Sequence, residues 1–145
     1  MNYIALSGRI ADGISLGHHI DGHGTGPVVI DTEGVTFVNS VGIRELVRLL
    51  RGLRERGHAV HMERVADVLI TQLNLFADAR QLTIVSFHAQ YVCPACGGES
   101  APLVEVAPHL AMLRAQKAPQ MPCPECGAAM DLGDFPERYL SVFKD

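Results

Sequence analysis

Along residues 3–10, YIALSGRI, apolar and polar positions alternate in the two-residue rhythm of a strand, and ADG ends it. The next segment, GISLGHHIDGHGTGP, is rich in Gly and His and holds at most a short helix. VVID at 28–31 reads as a short buried strand, and GVTFV at 34–38 leads into the polar pair Asn39-Ser40. From Val41 to Arg56 the rhythm changes. Ile43, Leu46, Val47, Leu50 and Leu53 recur at i, i+3, i+4, i+7 and i+10, which is one face of a helix. RGHAVHME at 56–63 predicts a turn and a strand. VADVLITQLNLFADA at 65–79 predicts a second helix, with Val68, Leu69, Leu73 and Leu75 among its apolar positions. TIVSFHA at 83–89 predicts a final strand. Strands alternating with helices imply right-handed crossovers and an α/β fold, a small mixed or parallel sheet with helices against it.

Beyond residue 88 the pattern changes character. PLVEVA at 102–107 reads as a strand, and PHLAMLRAQK at 108–117 as a short helical or extended insertion. FPERYLSVF at 135–143 reads as a terminal helix with Pro136 in its first turn. Tyr139, Leu140 and Phe143 would form its buried face, docked on the first part of the chain or on a twin subunit in a homodimer. The expected division is therefore residues 1–88 and 89–145. The second part has too few apolar residues for an independent core, so it needs a staple.

The cysteines supply that staple. CPACGG at 93–98 and CPECGA at 123–128 give a C-x2-C pair, a 26-residue gap and a second C-x2-C pair. Two-residue spacing lets both thiolates of a knuckle bind one ion, and the following Gly permits the tight turn. Cys93, Cys96, Cys123 and Cys126 thus offer four soft ligands in a tetrahedron, a set that suits zinc. Four protein ligands leave no open position for a catalytic water, so the expected ion is structural. The alternatives are a redox C-x-x-C pair, disfavoured because two matched pairs are present, and a rubredoxin-like iron centre. The knuckles resemble those of zinc ribbons.

Composition narrows the class. The chain of 145 residues is 48% hydrophobic and 19% charged, enough to bury a core. A net charge of -4 argues against a nucleic-acid binder. Residues 89–145 point the same way, with Arg114, Lys117, Arg138 and Lys144 set against seven acids. No stretch reaches the roughly 20 apolar residues of a membrane span, and MNYIALSGRIADG has no basic start, so a cytoplasmic protein without membrane contact is expected. His18, His19 and His23 read as solvated loop residues, and His58, His61 and His88 as strand-end residues. Neither a Gly-rich phosphate loop nor a carboxylate pair points to catalysis, and metal binding accounts for all four thiols. An enzyme is not expected.

The run from Val28 to Leu73 (VVIDTEGVTFVNSVGIRELVRLLRGLRERGHAVHMERVADVLITQL) resembles a STAS domain, the module of anti-sigma-factor antagonists and sulfate transporters. The resemblance covers roughly residues 3–88. Its motif is an apolar strand ending in Asp, then D-S-x-G opening a helix, with Asn39 standing here where the family carries Asp. It implies a sheet of about four or five strands with helices mainly on one side. It also implies a bacterial regulator whose protein partner is an anti-sigma factor or a serine kinase.

Ser40 aligns with the serine that a partner kinase phosphorylates in the regulatory branch, and Asn39 and Gly42 complete the turn. Physics permits the same role. A serine at a helix start lies beside unpaired amides, where a phosphate is favoured. Gly42 leaves room for close backbone approach. The plain alternative is an N-cap, since Asn and Ser are preferred there in any protein. Arg44, Arg48 and Arg51 follow along the helix as a docking strip for an acidic partner or as an ordinary solvated face. The competing whole-protein readings are a constitutive adaptor assembled through its ribbon and, third, a nucleic-acid-associated regulator.

Overall fold

The computed structural model describes residues 2–73 and 82–144. Within them, ten strands and four α-helices follow the chain. First come β1 (Tyr3–Ile10), β2 (Val28–Val38), α1 (Ser40–Glu55), β3 (Val60–Glu63), α2 (Asp67–Leu73), β4 (Thr83–Ile84) and β5 (Ser86–His88). Then come β6 (Tyr91–Val92), β7 (Glu99–Ser100), β8 (Leu103–Glu105), α3 (Leu110–Arg114), β9 (Met121–Pro122), β10 (Ala129–Leu132) and α4 (Pro136–Leu140). The fold is α/β, as the alternating pattern predicts.

The main sheet has the order β1-β2-β3-β4, and every pairing in it is parallel. The expected mixed sheet is corrected accordingly: antiparallel pairing is confined to the segments after residue 85. Successive right-handed crossovers moving in one direction across a parallel sheet put α1 and α2 on the same face. Ile4, Leu6, Ile30 and Met62 point to that face and are buried against Leu46, Leu50, Leu53, Leu69 and Ile70. Tyr3, Val29, Asp31 and His61 alternate with them and belong to the opposite face.

Three local differences from the sequence pattern have physical causes. VVID and GVTFV form one strand, β2, because register shifts opposite Ala5–Ser7 and Gly8–Arg9 absorb the intervening polar residues without breaking the pairing. TIVSFHA divides at Val85: β4 closes the main sheet, while β5 turns away to pair antiparallel with β8. Val68 is exposed on α2 rather than buried, with Leu69 and Ile70 taking the core face, and Leu75 lies outside the described residues. The insertion between the knuckles is helical, a 3-10 turn at Ala107–His109 running into α3.

The two halves share a boundary and a core. The β5–β8 pair joins residues on either side of position 89, and the buried cluster runs without a break from Ile4 to Leu140. Tyr139 and Leu140 of α4 are buried, and α4 packs against α2. Phe143, half-buried, stacks at a tilt on Phe87 of β5 with ring centroids 5.4 Å apart. No helix among the described residues is long and apolar enough to cross a membrane.

Candidate functional sites

The turn at the start of α1 is built around Asn39. Its backbone is extended, and its side-chain Oδ1 accepts from the Gly42 amide at 2.9 Å, an N-cap bond that satisfies one of the helix's unpaired donors. Its Nδ2 donates to Asp12 Oδ1 at 2.9 Å, tying the turn to the loop after β1. Ser40 follows as the first helical residue and is exposed.

Gly42 is buried where α1 crosses the end of β1. A Cβ there would lie 1.7 Å from the Ile10 carbonyl oxygen, so the helix reaches this position only without a side chain. Near the other end, a Cβ on Gly52 would lie 2.5 Å from Ile20 Cδ1. Two glycines therefore seat the helix.

Arg44, Arg48 and Arg51 are all exposed on its outer face, and Arg48 pairs with Glu45 at 2.9 Å. Phe37 and Val41 flank the turn in sequence and are each 37% exposed, and Val68, equally exposed, shares a cavity with Phe37 and Val38. Phe37 also carries the Arg9 guanidinium over its ring, 4.1 Å from the centroid.

The cysteine site repeats one local structure twice. In the first knuckle the Cys93 amide donates to Gly98 O and the Gly97 amide donates to Cys93 O, both at 2.8 Å. In the second, the Cys123 amide donates to Ala128 O at 2.8 Å and the Gly127 amide to Cys123 O at 2.9 Å. Gly97 and Gly127 occupy the matching left-handed position, with φ of 75° and 79°. Each knuckle is the tip of a hairpin-like excursion, β6 to β7 and β9 to β10, and β6 pairs with β10 to bring the tips together.

All four Sγ atoms lie within 4.8 Å of one another, with Cys93–Cys126 at 3.5 Å and Cys96–Cys123 at 3.7 Å. Sulfurs about 2.3 Å from a central ion form a tetrahedron with an edge of ~3.8 Å, so this cluster can hold a metal ion. Disulfides, by contrast, require sulfurs about 2.05 Å apart.

As free thiols, Cys123 and Cys96 are pulled in opposite directions. Backbone amides of Cys126 and Glu125 pull Cys123 down to about 7. At Cys96 a bond to the Gly98 backbone acts in the same direction, but the three neighbouring thiols outweigh it and push the group up to about 12. A divalent cation would remove that conflict by holding all four as thiolates.

A third constellation carries no mark in the sequence pattern. Asp31, 5% exposed on the outer face of β2, accepts from Tyr3 Oη at 2.7 Å, from the Glu33 amide at 2.9 Å and from Arg64 Nε at 2.8 Å. Burial alone would raise its carboxyl, but these donors outweigh it and hold the group below the usual carboxylate range. Arg64 reaches it from just past β3 with a left-handed backbone, φ 47°, braced by its amide donating to Ser86 Oγ. His88 continues the chain of contacts, with Nε2 2.9 Å from Glu33 Oε2 and Nδ1 2.7 Å from the Ala101 carbonyl. The only local signal is a lone Asp ending an apolar strand; its side-chain partners come from positions 28 and 33 residues away.

The loop histidines do not assemble a ligand set. His23 contacts the His19 carbonyl, and His58 contacts the Gly26 carbonyl. Among the described residues, only the cysteines bring three or more potential ligands together.

No family model, curated protein or solved structure matches the chain.

Proposed function

We propose that this chain is a non-enzymatic, STAS-like bacterial regulator acting in the cytoplasm by protein–protein contact. Its contact surface is the Asn39–Gly42 turn with the exposed face of α1, and Ser40 is the phosphoacceptor. The observation that carries this reading is the exposure of Ser40 at the first position of a 16-residue helix, with partly exposed Phe37 and Val41 flanking it in sequence.

A phosphate added there brings about -1.5 to -2 charges to the positive end of the helix and to the rim of an apolar patch. The modification would be tolerated by the fold and disruptive to a docked partner. The partner is an anti-sigma factor or a serine kinase, as the resemblance implies. In the C-terminal part we assign one structural zinc to Cys93, Cys96, Cys123 and Cys126, favoured over iron. That part is a zinc ribbon that holds α4 against α2.

A second reading, a constitutive adaptor, draws on the cap itself. Both ends of the Asn39 amide are engaged in structural bonds, to Gly42 and Asp12, as a purely architectural turn requires. Affinity purification of tagged wild type, Ser40→Ala and Ser40→Asp from native cells separates the two. The switch predicts one protein retained by wild type and Ser40→Ala and lost from Ser40→Asp. The adaptor predicts equal retention by all three.

A further inference from the structure

The main sheet ends in two unlike edges. On one side β4 is two residues long, and just past it the Val106 amide donates to the Val85 carbonyl at 3.0 Å. On the other side β1 runs for eight residues and pairs only with β2 among the described strands. One bond fixes the direction of its backbone groups. The Asn2 carbonyl accepts from the Val29 amide, and groups two residues apart along a strand point the same way. Ile4 and Leu6 therefore bond toward β2, while the N–H and C=O groups of Tyr3, Ala5 and Ser7 point away from the sheet. Among the described residues no backbone partner reaches those groups. Proteins ordinarily blunt a long edge with proline, lysine, an inward charge or a bulge in the edge strand. From Tyr3 to Ser7, β1 has none of these. The register shifts put their extra residues on β2, and the one charge of β1, Arg9, lies over the Phe37 ring. Its left-handed Gly8, φ 74°, comes after the regular stretch.

We propose that β1 pairs antiparallel with β1 of a second copy of this chain, across a twofold axis at Ala5. Antiparallel pairing about such an axis makes a strand edge complementary to itself. The regular stretch Tyr3–Ser7 is centred on Ala5, so Ala5 meets Ala5 of the second copy and Tyr3 meets Ser7. Each of these pairs exchanges two bonds, about six in all. The side chains leave the axis clear. Ala5 and Ser7 are small and exposed, and Tyr3 leans back over β2 to donate to Asp31 at 2.7 Å. On the other face Ile4 comes opposite Leu6 of the second copy, and these buried residues carry the core across the axis. The two four-stranded sheets then run on as one. A second copy fits this edge better than an unrelated strand, because the smallest side chain stands where like must meet like. The pairing is independent of the regulatory reading of Ser40.

Sedimentation velocity and native mass spectrometry of the full chain test this directly. A reversible dimer is expected in the micromolar range. Ala5→Pro removes the amide donated across the axis from each copy and should raise the dissociation constant about tenfold or more. Ala5→Lys, at an exposed position, sets two ammonium groups opposite each other. It should raise the constant severalfold at low salt and less at high salt. Mixed with wild type, the Ala5→Lys chain should still form a mixed dimer, because its lysine then faces an alanine; that result shows its edge to be intact. A wild-type chain that sediments as a monomer across the micromolar range would overturn the proposal. So would a dimer that both substitutions leave unchanged, which would place the contact elsewhere, or absence of the mixed dimer.

Discussion

At the scale of single residues, the start of α1 makes sharp demands. Gly within a helix costs about 1 kcal/mol relative to Ala, yet α1 carries two. Gly42 faces a backbone carbonyl and Gly52 the tip of a flexible isoleucine. Gly42→Ala should therefore destabilise by about 3 kcal/mol or more, and Gly52→Ala by clearly less, measured by urea unfolding.

Asn39 carries a subtler prediction. Its amide donates to Asp12, so an Asp at this position would set two carboxylates together. Asn39→Asp should lower the unfolding midpoint, and adding Asp12→Asn should restore it. A double-mutant cycle showing no coupling would contradict that pairing.

Asp31 gives the pH dependence. Its folded carboxyl lies below the ordinary value near 3.9, so its contribution is present above that pH and is lost as pH falls through the lower folded value. Removing a donor raises the folded value and narrows that window. Tyr3→Phe or Arg64→Gln should therefore move the midpoint of acid unfolding to higher pH, followed by circular dichroism.

At the scale of elements, the repeating patterns were legible and the exceptions were not. α1 stands out in the sequence because its apolar positions recur with the helical period, and β1 because its residues alternate. Leu49 and the two buried glycines of α1 escape that pattern: the helix is gripped more widely than a single stripe, and a glycine shows no hydrophobicity to count. The two knuckles were readable down to the four sulfurs that cluster, because cysteine spacing and the following glycine are set by local chain geometry. Their small strands were not, since two-residue pairings are imposed by the partner strand rather than by propensity.

A metal ion at the four cysteines would hold these short elements together. Removing it with a strong chelator should yield one ion per chain by elemental analysis. Chelation should also expose Tyr91, now fully buried with its hydroxyl donating to the Pro119 carbonyl at 2.7 Å and its pKa pushed up to about 12. Ultraviolet titration of the tyrosines would detect the exposure as a fall in that pKa toward 10.

For the whole molecule, topology was the least legible level. Alternating strands and helices imply crossovers but leave strand order and direction open. The parallel order β1-β2-β3-β4 is settled by long-range pairing that leaves no local mark. The same is true of β5, whose departure toward β8 links the two halves through residues that look like one continuous strand with β4. Sheet direction also explains the outer polar cluster. Parallel sheets are ordinarily covered on both faces, and this one packs its helices on a single face. The polar groups on its other face are therefore bonded to one another, Asp31 to Arg64 and Glu33 to His88.

The central claim concerns the exposed serine that opens α1, and it is tested most directly by native mass spectrometry of the protein isolated from its own cells, with a Ser40→Ala variant alongside. A regulatory switch predicts a phosphate increment on the wild-type chain that is missing from the variant. Wild-type chains without phosphate under every growth condition sampled, or an increment that persists in Ser40→Ala, would contradict it.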